Sequence, residues 1–208
     1  MRPSFFQVMA SSRRRSPYLV SEDFEGTGTP SGWVESGSPN FDYAYLPVRG
    51  EQMLSCPDGS SAYKNFANSN GTCWAFAWIR RLSTPTVTDF TILGLLDSSG
   101  VSLASVRTRN TSNGWRLWAG SSVVGTTNYG SNNVNVAIWL SYTAGTGGNA
   151  VTSLYINNSE TRPGSPALIH TTGTRTANAE RVLCNASGAQ ILFDKVRVSA
   201  SPIGSNPI

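Results

Sequence analysis

Acids, one histidine, three cysteines and six tryptophans carry most of the chemistry available to this 208-residue chain. Glycoside hydrolysis uses two carboxylates facing each other across a sugar, roughly 5 to 9.5 Å apart. Glu22, Asp23 and Glu25 are clustered, but they fall where the folded body begins, and the long central segments carry no acid in their interiors. His170 lies in Leu168-Ile169-His170-Thr171 with no G-x-S-x-G type of nucleophile motif beside it, and it reads as an ordinary surface or partly buried side chain. Cys56, Cys73 and Cys184 have neither CxxC nor Cys/His metal spacing. They read as free buried thiols, with a Cys56–Cys73 disulfide as the alternative. Nothing in this set assembles a reaction, so the expectation is a protein that is not an enzyme.

Binding chemistry is better represented. Trp33, Trp115 and Trp118 lie near turn residues and are candidate platforms for a glycan, or anchors for a protein partner. Trp74, Trp78 and Trp139 sit inside longer strand-like segments and read as core. The charges are unevenly placed: the net charge is +4, from 16 Lys plus Arg against 12 Asp plus Glu. Residues 1–20 hold Arg2, Arg13, Arg14 and Arg15 and no acid, which leaves 12 bases against 12 acids in the rest. Phe5, Phe6 and Tyr18 flank Arg13, Arg14 and Arg15, a mixture suited to docking on a protein surface, where guanidinium groups pair with carboxylates. Four charges make a small footprint for phosphates, and the body adds no basic stripe, so nucleic acid is not an expected partner. No apolar run approaches the ~20 residues of a membrane span.

The elements that must position these residues are strands. Charged residues amount to only 13%, and Gly, Ser, Thr and Asn are plentiful, which favours short strands and tight turns. Thr72–Arg81 is the clearest strand, with Trp74, Phe76 and Trp78 on one face and Cys73, Ala75, Ala77 and Ile79 on the other. Both faces are apolar, which places it mid-sheet with material packed on each side. Further strands are expected at 51–56, 89–96, 101–109, 115–119, 123–124, 134–143, 151–156, 181–185 and 191–199, with an irregular connection over 160–179. In the last strand Leu192, Asp194, Val196 and Val198 are expected on one face, opposite Ile191, Phe193, Lys195 and Arg197. No segment sustains a 3.6-residue period. About twelve short strands in one domain predict an all-β fold, a two-sheet antiparallel jelly-roll sandwich with an extended N-terminal arm. The expected division is an arm at 1–20, a body at 21–201 and a tail at 202–208.

One ordered set of segments resembles a known family. Asp23-Phe24-Glu25-Gly26, Pro30-Ser31-Gly32-Trp33 and Arg49-Gly50-Glu51-Gln52 are followed by Trp74-Ala75-Phe76-Ala77-Trp78 and Phe193-Asp194-Lys195-Val196-Arg197-Val198. Together they resemble the concanavalin A-like lectin/glucanase, or laminin-G-like, jelly rolls found in bacteriophage structural proteins, over residues 21–201. The resemblance implies a sandwich of two curved sheets. Its catalytic members carry an E-x-D-x-x-E strand, which this sequence lacks. It also implies a structural calcium tying the chain ends, with Asp23, Glu25 and Asp194 in the matching positions, and no other cofactor. The implied function is a virion structural protein, a capsid decoration or other surface subunit anchored by its arm to the major capsid protein or a tail protein. Such a subunit is expected to be homo-oligomeric and located in the virion after assembly in the host cytoplasm. The alternative is a carbohydrate-binding, lectin-like adhesin or tail-fibre module.

Overall fold

The computed structural model describes residues 17–44, 50, 52–111, 113–205 and 207. Among them there is no helix, and fifteen strands form two antiparallel sheets. In chain order the strands are β1 (Val20–Glu22), β2 (Trp33–Ser36), β3 (Asn40–Tyr43), β4 (Met53–Cys56) and β5 (Ser61–Asn65). They continue as β6 (Thr72–Arg81), β7 (Thr91–Leu96), β8 (Ser102–Thr108), β9 (Gly114–Ala119) and β10 (Ser122–Asn128). The last five are β11 (Asn135–Thr143), β12 (Val151–Asn157), β13 (Leu168–His170), β14 (Arg181–Asn185) and β15 (Ile191–Ser199). The eight-stranded sheet has the order β13-β12-β11-β6-β15-β4-β3, with β1 added alongside β15. The seven-stranded sheet has the order β10-β9-β8-β7-β14-β5-β2. The connection expected to be irregular contributes β13, so His170 lies on an edge strand.

One continuous core fills the space between the sheets, built from inward positions such as Ala75, Ala77, Ile138, Leu140, Leu93, Val106, Leu117 and Val182. The three cysteines are free thiols within it. Burial pushes the Cys56 and Cys73 thiols up to about 12, and Cys184 well above its usual value. An apolar thiol site with little stabilisation for the thiolate is structural and unreactive.

The two-faced pattern of β6 has its physical counterpart on the outer side of the eight-stranded sheet. Phe76, Trp78, Ala137 and Trp139 form a second apolar cluster there, closed by Ile203 and by the half-buried Tyr18, Trp74 and Tyr155. The Trp139 indole donates to the Gly204 carbonyl (3.3 Å), and Arg162 Nη1 donates to the Ile203 carbonyl (2.9 Å). Both ends of the described chain therefore lie over this face. The expected boundaries at 20/21 and 201/202 cut into that packing, since β1 begins at Val20 and Ile203 is buried.

Strict alternation fails in β15. Its register with β6 shifts between Asp194 and Arg197, with Lys195 at φ 51°. This bulge turns Ile191, Phe193, Val196 and Val198 into the core, against the expected grouping of Leu192 and Asp194 with Val196 and Val198. A bulged residue moves everything after it to the opposite face.

Arg81, at the end of β6, crosses between the sheets. It is buried over the Trp115 ring (4.4 Å) and donates to Thr108 Oγ1 (2.7 Å) and to the Thr111 and Gly114 carbonyls (both 3.3 Å). Burial lowers its pKa from 12.5 to about 10, so it remains a cation at neutral pH.

Candidate functional site: the outer face of the seven-stranded sheet

Side chains of a strand alternate between faces, so the core residues of each strand fix which neighbours point outward. Leu117, Val106, Leu93, Val182 and Ala62 face the core. The register then lays an outward row straight across the sheet. Trp118 faces Ser105, Ser105 faces Gly94, Gly94 faces Leu183, Leu183 faces Tyr63, and Tyr63 faces Val34 at the far edge. Trp118 and Tyr63 are four strand spacings apart, roughly 19 Å. Between them the row is floored by Ser105, Gly94 and Leu183. A Cβ on Gly94 would stand 3.0 Å from Leu96 Cδ1 and 3.3 Å from Thr91 Cγ2, so glycine keeps this floor low. The result is a low row, here called the groove, in which Ser105 and Gly94 are buried, Leu96 and Thr91 lie against Gly94, and a half-buried aromatic ring stands at each end.

Each ring carries a guanidinium. Arg107 Cζ lies 3.7 Å from the Trp118 centroid, and Arg181 Cζ lies 4.4 Å from the Tyr63 centroid. Such stacking holds the charge flat on the sheet while leaving donor edges outward. Arg107 Nε donates to Ser105 Oγ (3.4 Å) and its Nη1 to the Asp89 carbonyl (3.2 Å). Burial lowers the Arg107 pKa, and the Asp89 charge opposes that shift. Arg181 Nε donates to Asn65 Oδ1 (2.8 Å) and its Nη2 to the Ser98 carbonyl (3.3 Å). Arg116, one position from Trp118 in the outward set of β9, pairs with Asp89 Oδ2 at 2.5 Å. Among the described residues, neither Arg107 nor Arg181 has a carboxylate within ion-pair distance, and Arg107 Nη2 and Arg181 Nη1 have no acceptor.

Of the three tryptophans expected as exposed platforms, Trp118 alone reaches this face. Trp33 and Trp115 are 6% and 1% exposed, which corrects that expectation. Trp33 packs on Phe24 and Phe41 and donates its indole N–H to Glu22 Oε2 (3.2 Å). Trp115 donates to the Tyr129 carbonyl (2.7 Å) beneath Arg81. Both stand at inward parity beside a turn, and proximity to a turn does not by itself expose a ring. Trp74, expected in the core, is half-buried on the outer face of the other sheet, beside Tyr155 and under Arg162 (4.9 Å).

The calcium arrangement is not assembled. Asp23 pairs with Arg197, whose Nη1 also donates to the Glu22 carbonyl (2.8 Å). Glu25 is exposed, whereas Asp194 is fully buried opposite Trp78. Among the described residues no three His, Cys, Asp or Glu side chains gather where they could hold a metal. A buried guanidinium ties the first strand to the last where a cation was expected. Tyr18 is packed against the body, with Arg197 Cζ 5.9 Å from its ring, rather than projecting as an anchor. Phe5, Phe6, Arg13, Arg14 and Arg15 lie outside the described residues.

No family model and no curated protein matches the sequence. Solved structures do match. A cellulose-induced protein superposes with a TM-score of 0.64 at 14% identity, over 90% of this chain and 100% of that one. The chain shares its β-sandwich fold. An endo-β-1,4-glucuronan lyase from the fungus Trichoderma reesei gives 0.58 at 11%, over 91% and 98% of the two chains. The binding domain of botulinum neurotoxin DC, solved in complex with SialylT, gives 0.55 at 10%, over 82% of this chain and 43% of that one. At these identities the likeness carries the fold and no residue roles.

Sequence reading did not single out Arg107, Arg116, Arg181, Tyr63 or Gly94. The available signal was Arg116-Leu117-Trp118, a guanidinium and an indole two apart around an inward leucine. No helix is long and apolar enough to cross a membrane among the described residues.

Proposed function

We propose that the protein is a carbohydrate-binding β-sandwich module that takes glycan on the outer face of its seven-stranded sheet, without catalysing a reaction on it. The observation that carries this is the transverse row, in which Trp118 and Tyr63 bound a floor of Ser105, Gly94 and Leu183. Hydroxyl, amide and guanidinium groups surround that floor, at Thr91, Asn65, Asn185 and Arg107. Glycan sites combine aromatic surface with a few fixed polar groups in this way. The outward strand positions carry no carboxylate, and Asp89 in the adjoining loop is held by Arg116, so the paired acids of glycoside hydrolysis are not gathered on this face. Structures that superpose on the chain include a polysaccharide lyase and a domain solved with a sialylated ligand.

The test is affinity electrophoresis of the full chain through gels containing soluble polysaccharides. Retardation by at least one polysaccharide, reduced in Trp118→Ala and Tyr63→Ala and kept in Trp74→Ala, supports the site. Retardation abolished by Trp74→Ala alone would move the site to the eight-stranded sheet.

A second element concerns delivery. The described chain begins at Pro17, over the outer side of the eight-stranded sheet, where Tyr18 packs and Leu19 donates to the Val198 carbonyl (2.7 Å). That side is separated from the groove by both layers of the sandwich. The basic segment 1–16 is joined to the body at Pro17, and this supports a virion surface role in which a capsid or tail protein holds one side and glycan meets the other. Arg13→Ala, Arg14→Ala and Arg15→Ala in one full-length chain should lose incorporation into phage particles while keeping polysaccharide binding. Unchanged incorporation would remove the anchoring role.

A further inference from the structure

Stacked guanidiniums change what the two aromatic rings of the groove can recognise. A ring face covered by a cation at 3.7 or 4.4 Å is not free for a sugar to lie on. What each end of the groove presents is therefore a fixed positive charge with unused donors, Nη2 of Arg107 and Nη1 of Arg181, while Trp118 and Tyr63 serve as shelves beneath. No outward strand position on this face contributes a carboxylate; of the acids beside it, Asp89 is bonded to Arg116, Asp97 accepts from Ser99 and Val101 of its own turn, and Glu180 lies next to Arg181 in the chain. Arg107 and Arg181 therefore present guanidinium donors with no carboxylate within ion-pair distance among the described residues, although the chain outside the basic segment is balanced at 12 bases and 12 acids.

Resting on the glycan site described above, we infer that its ligand is an acidic polysaccharide whose repeating carboxylates pair with Arg107 and Arg181 at the two ends of the groove. Guanidinium matches a carboxylate in plane and in charge, and pairs of this kind are among the stronger hydrogen bonds. The two ends are roughly 19 Å apart, so both are engaged only by an oligosaccharide with more than one acidic residue. Neutral glycans would lie over the Ser105–Gly94–Leu183 floor without satisfying either charge.

The experiment compares retardation of the full chain in gels containing polygalacturonate, alginate, neutral dextran and dextran sulfate, at two salt concentrations. The expected result is retardation by polygalacturonate or alginate and none by neutral dextran. Arg107→Ala and Arg181→Ala should each weaken it about tenfold, the effect of losing one charge-assisted hydrogen bond. Gly94→Val, which raises the floor without removing a charge, should weaken it as well. Equal retardation by neutral dextran that depends on Trp118 overturns the acidic class and leaves the glycan site standing. Retardation by dextran sulfate alone overturns carboxylate recognition in favour of general polyanion attraction. Acidic retardation that survives Arg107→Ala/Arg181→Ala but disappears in the Arg13→Ala/Arg14→Ala/Arg15→Ala chain assigns the effect to the basic segment and overturns the proposal. No retardation by any of the four removes the glycan site as well.

Discussion

Removing the Trp118 ring from beneath Arg107 separates a shelf from a platform. The guanidinium carbon sits 3.7 Å from the ring centroid on a half-buried face, a geometry worth about 1 kcal/mol, between the exposed and desolvated limits of cation–π pairs. If Arg107 is the group that meets the ligand, Arg107→Ala weakens binding by about 1.4 kcal/mol, or tenfold. Trp118→Ala leaves the charge in place but frees a long side chain that must be immobilised again on binding, at about 1 kcal/mol or roughly fivefold. The double variant should then be no weaker than Arg107→Ala alone, giving a coupling energy near 1 kcal/mol. If Trp118 instead stacks on sugar by itself, the two losses are independent and multiply to roughly 50-fold. The assay is the dissociation constant of an acidic oligosaccharide by calorimetry, with urea unfolding of all four proteins to show that each is folded. A multiplied loss with no coupling refutes the shelf, and with it the reason for expecting an acidic ligand.

Three further predictions concern the frame that holds the groove. Arg81→Met should lower stability by about 3 kcal/mol in urea unfolding, because Thr108 Oγ1 loses its donor and the Thr111 and Gly114 carbonyls lose a charge-assisted bond. The folded-state pKa values of Cys56 and Cys73 are raised from 9.0 to about 12, so the folded protein retains protons that the unfolded chain releases. Stability from these thiols is complete below about pH 9 and is lost as pH rises towards 12, approaching ~1.4 kcal/mol per pH unit for each thiol. Arg81 acts with the opposite sign, but only above its value of about 10, so the melting temperature should fall between pH 9 and 10; a flat profile would contradict the assigned burial. Because Arg197 holds both Asp23 and the Glu22 carbonyl, melting in EDTA should match melting in calcium, and a calcium-dependent rise of several degrees would restore a metal at the chain ends.

The two-sheet architecture could be read from the sequence wherever a strand had both pattern and punctuation. β6 is bounded by Gly71 and by the Ser83-Thr84-Pro85 turn and is apolar on both faces, and its limits agree with the expected 72–81. β5, Ser-Ala-Tyr-Lys-Asn, and β13, three residues long, have no alternation to detect, and tertiary pairing defines them. The face assignment of β15 failed at one residue, Lys195, because a bulge leaves no mark on hydrophobic periodicity. The groove was legible only in fragments for the same reason. Trp118 announces itself as an aromatic near a turn, but its partner Arg107 is known only once β8 and β9 are set in register. Tyr63 joins the row through three further pairings.

A net charge conceals where the individual charges sit. The chain outside the basic segment balances, which argues against a charged ligand when the residues are counted. Folding separates the signs. Acids such as Asp58, Asp97 and Asp42 lie at turns or on the edge strand β3, whereas Arg107, Arg116 and Arg181 fall on outward positions of β8, β9 and β14 of one sheet. A potential is set by where charges converge, and a sheet face that gathers only one sign draws oppositely charged ligands even on a neutral body. On the other sheet the cations of β15 are ion-paired: Lys195 pairs with Glu160, and Arg197 with Asp23. On the eight-stranded side Lys195 and Arg197 are ion-paired while Arg162 is stacked over Trp74; on the seven-stranded side Arg116 is ion-paired while Arg107 and Arg181 are stacked on Trp118 and Tyr63. The proposed recognition on the seven-stranded sheet rests on the convergence of Arg107 and Arg181 on one face rather than on any single residue.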